Sequence, residues 1–283
     1  MTAEIRPRRS VLYMPGSNPR ALEKARGLAA DGLIFDLEDA VAPDAKEGAR
    51  GLVLDALRQG GYGGREILVR VNGLDTPWGR DDLAAAARSG AHGVLLPKVE
   101  SAAQVREAEK LLPGDQTIWC MMETPKGILR AEEIAGSSPR VAGLVMGTSD
   151  LAKDLHAAHT AMRLPLLVSL GQCLLAARAF DLAILDGVHL DLEDEEGFRQ
   201  SCRQGVELGF DGKTLIHPKT IAAANAIFGP SPEEIAWARK IIDAFQAAGA
   251  GVTLVEGKLV EQLHVDAAKR TLSLADQIAK LTQ

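Results

Sequence analysis

Apolar runs alternate with amphipathic stretches along this chain, at a spacing of roughly 25–35 residues. Eight of the apolar runs have the length and composition of buried β-strands: residues 10–15, 32–38, 67–72, 93–98, 117–123, 143–147, 183–190 and 209–217. Helical patterns lie between them, at residues 18–30, 82–90, 102–112, 131–135, 164–180 and 195–208. Strand–helix alternation implies parallel strands joined by right-handed crossovers, and eight such units predict an α/β fold of the closed (β/α)8 barrel type. An open doubly wound sheet is the alternative.

The pattern changes after His217 and Pro218. Residues 231–248 are helical, with Ser231 as N-cap and Pro232 at the first helical position. A Gly-rich turn at 249–251, a short apolar strand at 252–255, a segment at 257–260 and a last helix to about residue 280 follow. We therefore predict a catalytic barrel domain at 1–225 and a C-terminal helical extension or lid at 226–283. The extension is too short to hold a large core, so we expect it to pack on the barrel or on a neighbouring subunit.

Four of the predicted strands lead into charged side chains. The first of these strands runs into Asp36, Glu38 and Asp39, and later strands lead to Arg70, Glu123 and Asp150. Carboxylates at the end of a buried strand are costly unless a metal, a cationic side chain or water compensates them. Polar groups at the carboxyl ends of barrel strands are typical of an active site.

Glu123 and Asp150 end consecutive strands, so their carboxylates can converge. Two carboxylates, completed by water and substrate oxygens, are a usual way to hold Mg²⁺. Neither position has a neighbouring His or Cys that would favour zinc. The structural alternative is that Glu123 caps the next turn and Asp150 caps a helix that begins at Leu151.

Arg70 faces the acidic strand end. Its guanidinium can bind a substrate carboxylate in a bidentate manner, or it can form a structural ion pair with Asp36 or Glu38. Asp36 and Glu38 lie on one face of their strand and can either contact metal-bound water or pair with Arg70.

Two further positions could carry chemistry. Residues 13–19 form a turn before a helix N-terminus, which favours an anion such as a cofactor phosphate, with Lys24 further along the helix. Lys98 also ends a strand and could in principle form a Schiff base. His217, at the end of the last strand, is either structural or part of the catalytic rim.

Composition excludes several classes of protein. The 283 residues are 46% hydrophobic and 25% charged, with a net charge of −6, which gives no reason to expect nucleic acid or an anionic membrane as partner. Only 4% of residues are aromatic, and no apolar run reaches the length of about 20 residues that spans a bilayer. The charged N-terminus and three scattered cysteines favour a cytoplasmic protein.

Seven motifs occur in a recognisable order: RSVLYMPG at 9–16, FDLEDAV at 35–41, VRVNGLDTPW at 69–78, LPKVE at 96–100, METP at 122–125, IHPK at 216–219 and GKLVE at 257–261. Together they resemble the citrate lyase beta-subunit-like proteins of the HpcH/HpaI aldolase superfamily. Its malyl-CoA and citramalyl-CoA lyases, malyl-CoA thioesterases and citrate lyase subunits share these motifs.

The resemblance implies a role for particular residues. It places the Mg²⁺ ligands at Glu123 and Asp150 and the substrate-carboxylate arginine at Arg70, with Glu38 and Asp39 in the network around the metal. Coenzyme A contacts fall on Tyr13, Asn18, Lys24, Ser149, Ile216 and His217. An acid from the C-terminal region of a neighbouring subunit completes the site in family members that act on CoA esters, and Glu261 occupies that position. It is Glu where the lyases have Asp, and Asn18 stands where some malyl-CoA lyases have Arg.

From this resemblance we expect a Mg²⁺-dependent carbon–carbon lyase that cleaves or forms a short 3-hydroxyacyl-CoA, with a 2-oxo acid as the other product. The alternatives are a citrate lyase beta subunit, a malyl-CoA thioesterase, a Schiff-base aldolase that uses Lys98 and a non-catalytic binding subunit. The resemblance also implies a homo-oligomer, either a trimer or a hexamer.

Overall fold

Eight parallel strands form a closed barrel in chain order in the computed structural model, which describes residues 5–249 and 251–281. The strands are β1 (Ser10–Pro15), β2 (Gly32–Asp36), β3 (Glu66–Arg70), β4 (Gly93–Leu96), β5 (Thr117–Met122), β6 (Val141–Met146), β7 (Ala183–Asp186) and β8 (Gly212–Leu215). Strand β8 pairs with β1 and closes the barrel. The predicted (β/α)8 barrel, also known as the TIM-barrel fold, is confirmed, and the alternative prediction of an open doubly wound sheet is wrong.

Helices follow the strands around the outside of the barrel. They are α1 (Pro19–Lys24), α2 (Lys46–Gln59), α3 (Gly79–Ala86), α4 (Ala102–Leu111), α5 (Pro125–Leu129), α6 (Ala131–Ala135), α7 (Thr148–Asp154), α8 (Leu167–Ala179), α9 (Glu195–Leu208) and α10 (Ile221–Phe228). The sequence pattern did not predict α2, α10 or the five-residue helix α5. Helix α2 contains two glycines and buries mainly small residues, so its apolar face is weak. Helix α10 is apolar on almost all sides and shows no helical period.

Several predicted strands are longer than the observed ones. The segment predicted at 209–217 pairs only over Gly212–Leu215, and the one predicted at 32–38 only over Gly32–Asp36. Leu37 and Glu38 stay buried beyond β2, so the apolar pattern there does not mark where pairing stops, whereas Ile216 and His217 are exposed beyond β8. Glu38 and Glu123 lie in loops, two residues past the end of β2 and one residue past the end of β5.

The barrel interior is filled by one face of each strand. Its apolar layer consists of Val11, Ile34, Leu68, Leu95, Trp119, Val145 and Leu185. Gly143 makes room for the largest of these side chains, because a Cβ atom there would lie 2.3 Å from the Trp119 ring. Two residues further along the same strands, the interior positions become Tyr13, Asp36 and Arg70. The two-residue period of the strands thus carries polar groups from the core to the carboxyl end.

The C-terminal segment is a small layer with an apolar core of its own. Helix α11 (Pro232–Ala248), the antiparallel strands β9 (Val252–Val255) and β10 (Lys258–Glu261) and helix α12 (Gln262–Leu281) pack around Ala238, Ile241, Val255, Val260, Val265 and Ala268. Ser231 caps α11 in a capping box, as predicted. Position 250 of the predicted turn lies outside the described residues.

Helix α12 contacts the end of the barrel that is formed by the amino termini of the strands. Arg270 pairs with Asp211, just before β8, and the Leu281 side chain lies against Gly64, just before β3. The division at residue 225 and packing against a neighbouring subunit remain predictions. No helix among the described residues is both long enough and apolar enough to cross a membrane.

A buried ion pair joins the last two strands on the outer face of the barrel. The Asp186 carboxylate accepts hydrogen bonds from Lys213 Nζ at 2.7 Å and from Arg163 NH1 at 2.6 Å. Both Asp186 and Lys213 are almost fully inaccessible. Burial alone would raise the pKa of Asp186, but the charges of Lys213 and Arg163 outweigh it and hold that pKa below its usual value. The pair orients the loop after β7, which borders the polar end of the barrel.

We expect Lys213→Met to lower the free energy of unfolding by about 3–5 kcal/mol, because it removes one partner of a buried pair. The pKa of Asp186 is depressed in the native state. Its stabilising effect is therefore complete above the unfolded pKa of about 3.9 and is lost as the pH falls below that value. Urea unfolding of wild type and Asp186→Asn between pH 3 and 7 would measure this pH dependence.

The matched control is Lys240→Met, which removes a lysine from the exposed pair with Glu256. We expect it to change the free energy of unfolding by less than about 1 kcal/mol. Equal effects of the two Lys→Met substitutions would contradict the assigned role of the buried pair.

Candidate active site

Arg70 is the centre of a cluster of acids at the carboxyl end of the barrel. Its Nε and NH2 atoms donate to the two carboxylate oxygens of Asp36, at 2.7 and 2.5 Å. Its NH1 atom lies 2.9 Å from Glu38 and 3.3 Å from Asp39. The guanidinium also stacks over the Tyr13 ring, 4.9 Å from the ring centre. Arg70 can keep its ion pair with Asp36 and still bind a substrate carboxylate. Its contact with the exposed Asp39 is the weakest of its ion pairs, and a substrate carboxylate would take that place.

The strand register creates this arrangement. Asp36 and Arg70 are Cα partners at the ends of the adjacent strands β2 and β3, and both face the interior. Burial raises the pKa of Glu38. Partial burial of Asp39 acts in the same direction, but its hydrogen bond with Glu38 and the charges of Arg70 and Lys98 lower the pKa of Asp39 overall. The two neighbouring acids therefore differ in how readily they release a proton.

Lys98 contributes the second cation of the cluster. Its Nζ donates to Glu38 at 2.7 Å and lies 3.6 Å from Asp150 and 3.8 Å from Asp39. Burial alone would lower the pKa of Lys98, but the hydrogen bond to Glu38 and the surrounding carboxylates raise that pKa above its usual value. A Schiff base needs a neutral amine, so this environment disfavours the Schiff-base alternative.

Glu123 is buried in the cluster, with 3% of its surface exposed. Its Oε1 accepts the backbone N–H of Lys98 at 2.8 Å. Burial raises the pKa of Glu123 to about 7, although the Lys98 N–H and Arg70 favour the charged form. Gly147 leaves the space that this carboxylate occupies, since a Cβ atom there would lie 2.4 Å from Glu123 Oε2.

Asp150 reaches the cluster from the first turn of α7. The N-cap of that helix is Gly147, and the N-cap of α5 is Thr124, whose side chain accepts the Gly127 N–H. Neither Asp150 nor Glu123 therefore caps a helix, and the capping alternative is wrong.

The cluster as a whole has an excess of negative charge. Five carboxylates, those of Asp36, Glu38, Asp39, Glu123 and Asp150, face three cations, Arg70, Lys98 and the exposed Lys153, which leaves two uncompensated negative charges when all the acids are ionised. Among the described residues, no three or more His, Cys, Asp or Glu side chains form a complete metal cage. Mg²⁺ needs no such cage, because it binds through one or two carboxylates and keeps several waters. The donor set of Glu123 and Asp150 fits that ion.

A cavity of about 430 Å³ opens beside these acids. Tyr13, Arg70, Glu123, Ser149, Asp150 and Ile216 are among the residues that line it. The Oγ of Ser149 is buried and has no hydrogen-bond partner among the described residues. Because this hydroxyl has no partner among the described residues, a rotation of the side chain would make it a donor to a molecule bound in the cavity. A second cavity, of about 640 Å³, lies between the loops after β3 and β4, and Lys98 and Glu38 are among the residues that line it.

The remaining candidate coenzyme A residues lie on one side of the barrel mouth. Asn18 is the N-cap of α1 and accepts the Ala21 N–H, and Lys24 is exposed in the last turn of that helix. His217 is exposed after β8, where its Nδ1 accepts the Lys219 N–H. Tyr13 and Ile216 line the cavity, whereas Asn18, Lys24 and His217 lie outside its lining.

Glu261 stands apart from the cluster. It is the last residue of β10, and its side chain is exposed. Within the described residues no hydrogen bond or ion pair joins it to Arg70, Glu123 or Asp150. The helix that follows it is anchored at the opposite, amino-terminal end of the barrel.

Asp36 and Lys98 are central to the site, although the sequence offered Asp36 only as an alternative partner of Arg70 or metal-bound water and Lys98 only as a Schiff-base lysine. The signal for Asp36 was its position two residues before Glu38 on the inward face of β2. The signal for Lys98 was its place directly after β4, in line with the acids after β2 and β5. What the sequence does not show is that one lysine reaches acids from three different loops.

The fold and the cluster define a barrel enzyme with a polar site at the carboxyl ends of its strands. Residues 9–218 match the HpcH/HpaI aldolase/citrate lyase family, and the chain belongs to that family.

Two groups of relatives cover almost the whole chain. A (3S)-malyl-CoA thioesterase from Cereibacter sphaeroides strain KD131 is 54% identical over 282 residues, which cover 99% of this chain and 98% of that protein. The citrate lyase subunit beta of Escherichia coli K12 is 37% identical, over 96% of this chain and 95% of that protein.

The fold is also shared with a solved structure of Mycobacterium tuberculosis protein CitE in complex with magnesium, acetoacetate and coenzyme A. That structure has a TM-score of 0.79 and 34% identity, and the match covers 94% of this chain and 97% of that one.

We expect Gly147→Ala to weaken Mg²⁺ binding by about 10–100-fold, because the new methyl group would displace the Glu123 carboxylate. Isothermal titration of the purified protein with MgCl₂ would measure the dissociation constant. Gly48→Ala is the control, since a Cβ atom there has no neighbour within 4 Å. Unchanged Mg²⁺ affinity in Gly147→Ala would exclude Glu123 as a ligand.

Proposed function

We propose that this protein is a Mg²⁺-dependent enzyme that acts on the coenzyme A thioester of a short hydroxylated dicarboxylic acid, and that it hydrolyses malyl-CoA. The observation that carries the proposal is the pair of convergent carboxylates, Glu123 and Asp150, beside a cavity with an arginine and an unpaired hydroxyl in its wall. The 54% identity to malyl-CoA thioesterases extends through the C-terminal segment and supports the choice of substrate.

Glu123 and Asp150 would hold the metal, and the neighbouring groups keep both acids available to it. The Lys98 N–H stabilises the charged form of Glu123, and no other residue that the structure describes donates a hydrogen bond to its second oxygen. When bound, Mg²⁺ would polarise oxygen atoms of the acyl group and compensate the charge that develops on them.

Arg70 would bind the free carboxylate of the acyl group. Asp36 fixes the plane of its guanidinium by two hydrogen bonds and leaves the NH1 side facing Glu38 and Asp39. A substrate carboxylate would replace Asp39, whose side chain is 59% exposed and can turn into solvent at little cost.

The thioester would lie along the wall that contains Ser149 and Tyr13. The Ser149 hydroxyl can donate to the thioester oxygen, and Tyr13 closes the floor of the cavity beneath Arg70. The coenzyme A part of the bound substrate would then extend out of the cavity past Ile216, towards Asn18, Lys24 and His217.

Hydrolysis adds the oxygen of one water to the thioester carbon and breaks the C–S bond. The thiolate takes up the proton that the water loses, so malate and free coenzyme A are the products. A carboxylate must accept that proton in transit. The position of the C-terminal segment supports Glu261 from a second copy of the chain in this role, rather than Glu261 of the same chain.

Carbon–carbon cleavage is the second candidate. The match to citrate lyase beta subunits over 96% of this chain favours it. In that reaction the bond between C2 and C3 of the acyl group breaks, the hydroxyl proton is lost, and the acyl-CoA carbon is protonated. Malyl-CoA would then give acetyl-CoA and glyoxylate.

We expect purified protein with Mg²⁺ to convert malyl-CoA into equal amounts of malate and free coenzyme A, and EDTA to abolish the conversion. Chromatographic measurement of malate, coenzyme A, acetyl-CoA and glyoxylate in one reaction separates the two candidates. Glyoxylate equal to acetyl-CoA, without malate, would establish the lyase and refute hydrolysis. Turnover unaffected by EDTA would refute the metal assignment.

Glu123→Gln and Asp150→Asn should each lower the turnover of malyl-CoA by at least about a hundredfold, because each substitution removes the charge of a metal ligand and leaves the shape of the side chain nearly unchanged. Glu132→Gln is the matched control, since Glu132 is exposed on α6, away from the cluster. Loss of activity in all three variants would point to a general effect of charge rather than to a metal site.

A further inference from the structure

Lys98 adopts a backbone conformation that is unusual for its type. Its φ angle is +47°, in the left-handed region that non-glycine residues rarely occupy. Such a conformation is strained for a residue with a side chain and persists where the surrounding structure requires it. Here it directs the backbone N–H to Glu123 Oε1, while the side chain extends back over the acids.

The side chain of Lys98 approaches the acids from the open side of the cluster. Its ammonium contacts Glu38 directly and lies within 4 Å of Asp39 and Asp150. One residue therefore touches both proposed metal ligands, Glu123 through its N–H and Asp150 through its ammonium. The side chain is 46% exposed, so it can move without disturbing the core.

We infer that Lys98 is a built-in counter-ion that competes with Mg²⁺ for the acid cluster and thereby sets the affinity of the site for the metal. This inference rests on the proposed function, since it concerns the same metal site. The backbone of Lys98 positions a metal ligand, while its side chain weakens metal binding and keeps the bound ion exchangeable.

The argument for competition is electrostatic. A unit positive charge about 4 Å from a carboxylate interacts with it strongly at the effective dielectric constant of a partly buried site. Mg²⁺ at the same carboxylates would repel that charge, so binding must displace the ammonium or proceed against it. A lysine that served only to hold the loops together would have the opposite effect, because its removal would loosen the ligands and weaken metal binding.

The test is the Mg²⁺ affinity of Lys98→Met, measured by isothermal titration of the protein alone with MgCl₂ at pH 8. Methionine keeps the backbone N–H that Glu123 accepts and removes only the charge. We expect the dissociation constant to fall at least tenfold relative to wild type. Lys98→Arg, which keeps the charge, should stay within about threefold of wild type.

Lys153→Met is the matched control. Lys153 also lies 3.5 Å from Asp150, but its side chain is 72% exposed and it contacts no other acid of the cluster. The substitution changes the net charge by the same amount, and we expect its effect on the dissociation constant to be less than threefold. Should Lys98→Met not fold, Lys98→Asn tests the same point, because Asn tolerates the left-handed conformation.

The outcomes separate this inference from the proposed function. If wild type binds Mg²⁺ and Lys98→Met binds it with equal or lower affinity, the counter-ion role is overturned and the metal site stands. A similar gain in Lys153→Met would also overturn it, since the effect would then be one of net charge alone. A wild-type protein that binds no Mg²⁺ would refute both proposals together.

Discussion

The bidentate pair between Asp36 and Arg70 is the interaction on which the polar end of the barrel depends. It joins two buried ionic groups at the ends of adjacent strands, in register, with both partners facing the interior. Two charges can leave water at this depth only when each satisfies the other with good geometry. Because Arg70 donates two of its N–H groups to Asp36, the guanidinium has a fixed plane, and its remaining edge faces Glu38 and Asp39. The pair therefore decides where further negative charge can lie.

The rest of the cluster follows from what this pair leaves uncompensated. Glu38 lies against Arg70 on one side and Lys98 on the other, so its charge is shared between two cations. Among the described residues, Glu123 receives only a backbone N–H as a direct hydrogen bond, and burial at that depth raises its pKa. A divalent cation beside Glu123 and Asp150 would oppose this effect. The same acids that make the site favourable for a metal thus also explain why a lysine lies among them.

The sequence predicted the barrel well because parallel strands buried on both faces give continuous apolar runs. It predicted Glu123 and Asp150 as a pair because acids at the ends of consecutive barrel strands must lie near one another. The sequence pattern failed to predict α2, whose buried face consists mainly of small residues, and α10, which is apolar on almost all sides. It also could not show that Gly147 clears space for Glu123 or that Lys98 has a positive φ angle, because both depend on contacts between loops that are distant in sequence. The assigned roles of Asn18, Lys24, His217 and Glu261 remain predictions.

Exposure within the cluster follows a gradient that bears on the reaction. Glu123 and Asp36 are sealed into the barrel, whereas Asp39 and Lys98 face solvent in a single chain. Hydrolysis requires water at the thioester carbon, while carbon–carbon cleavage requires that water be kept from the reactive carbanion equivalent. The buried acids can serve either reaction, since each needs the acyl oxygens polarised and the carboxylate held. Under the proposed function, the choice between hydrolysis and carbon–carbon cleavage would therefore depend on what covers the exposed side of the cluster.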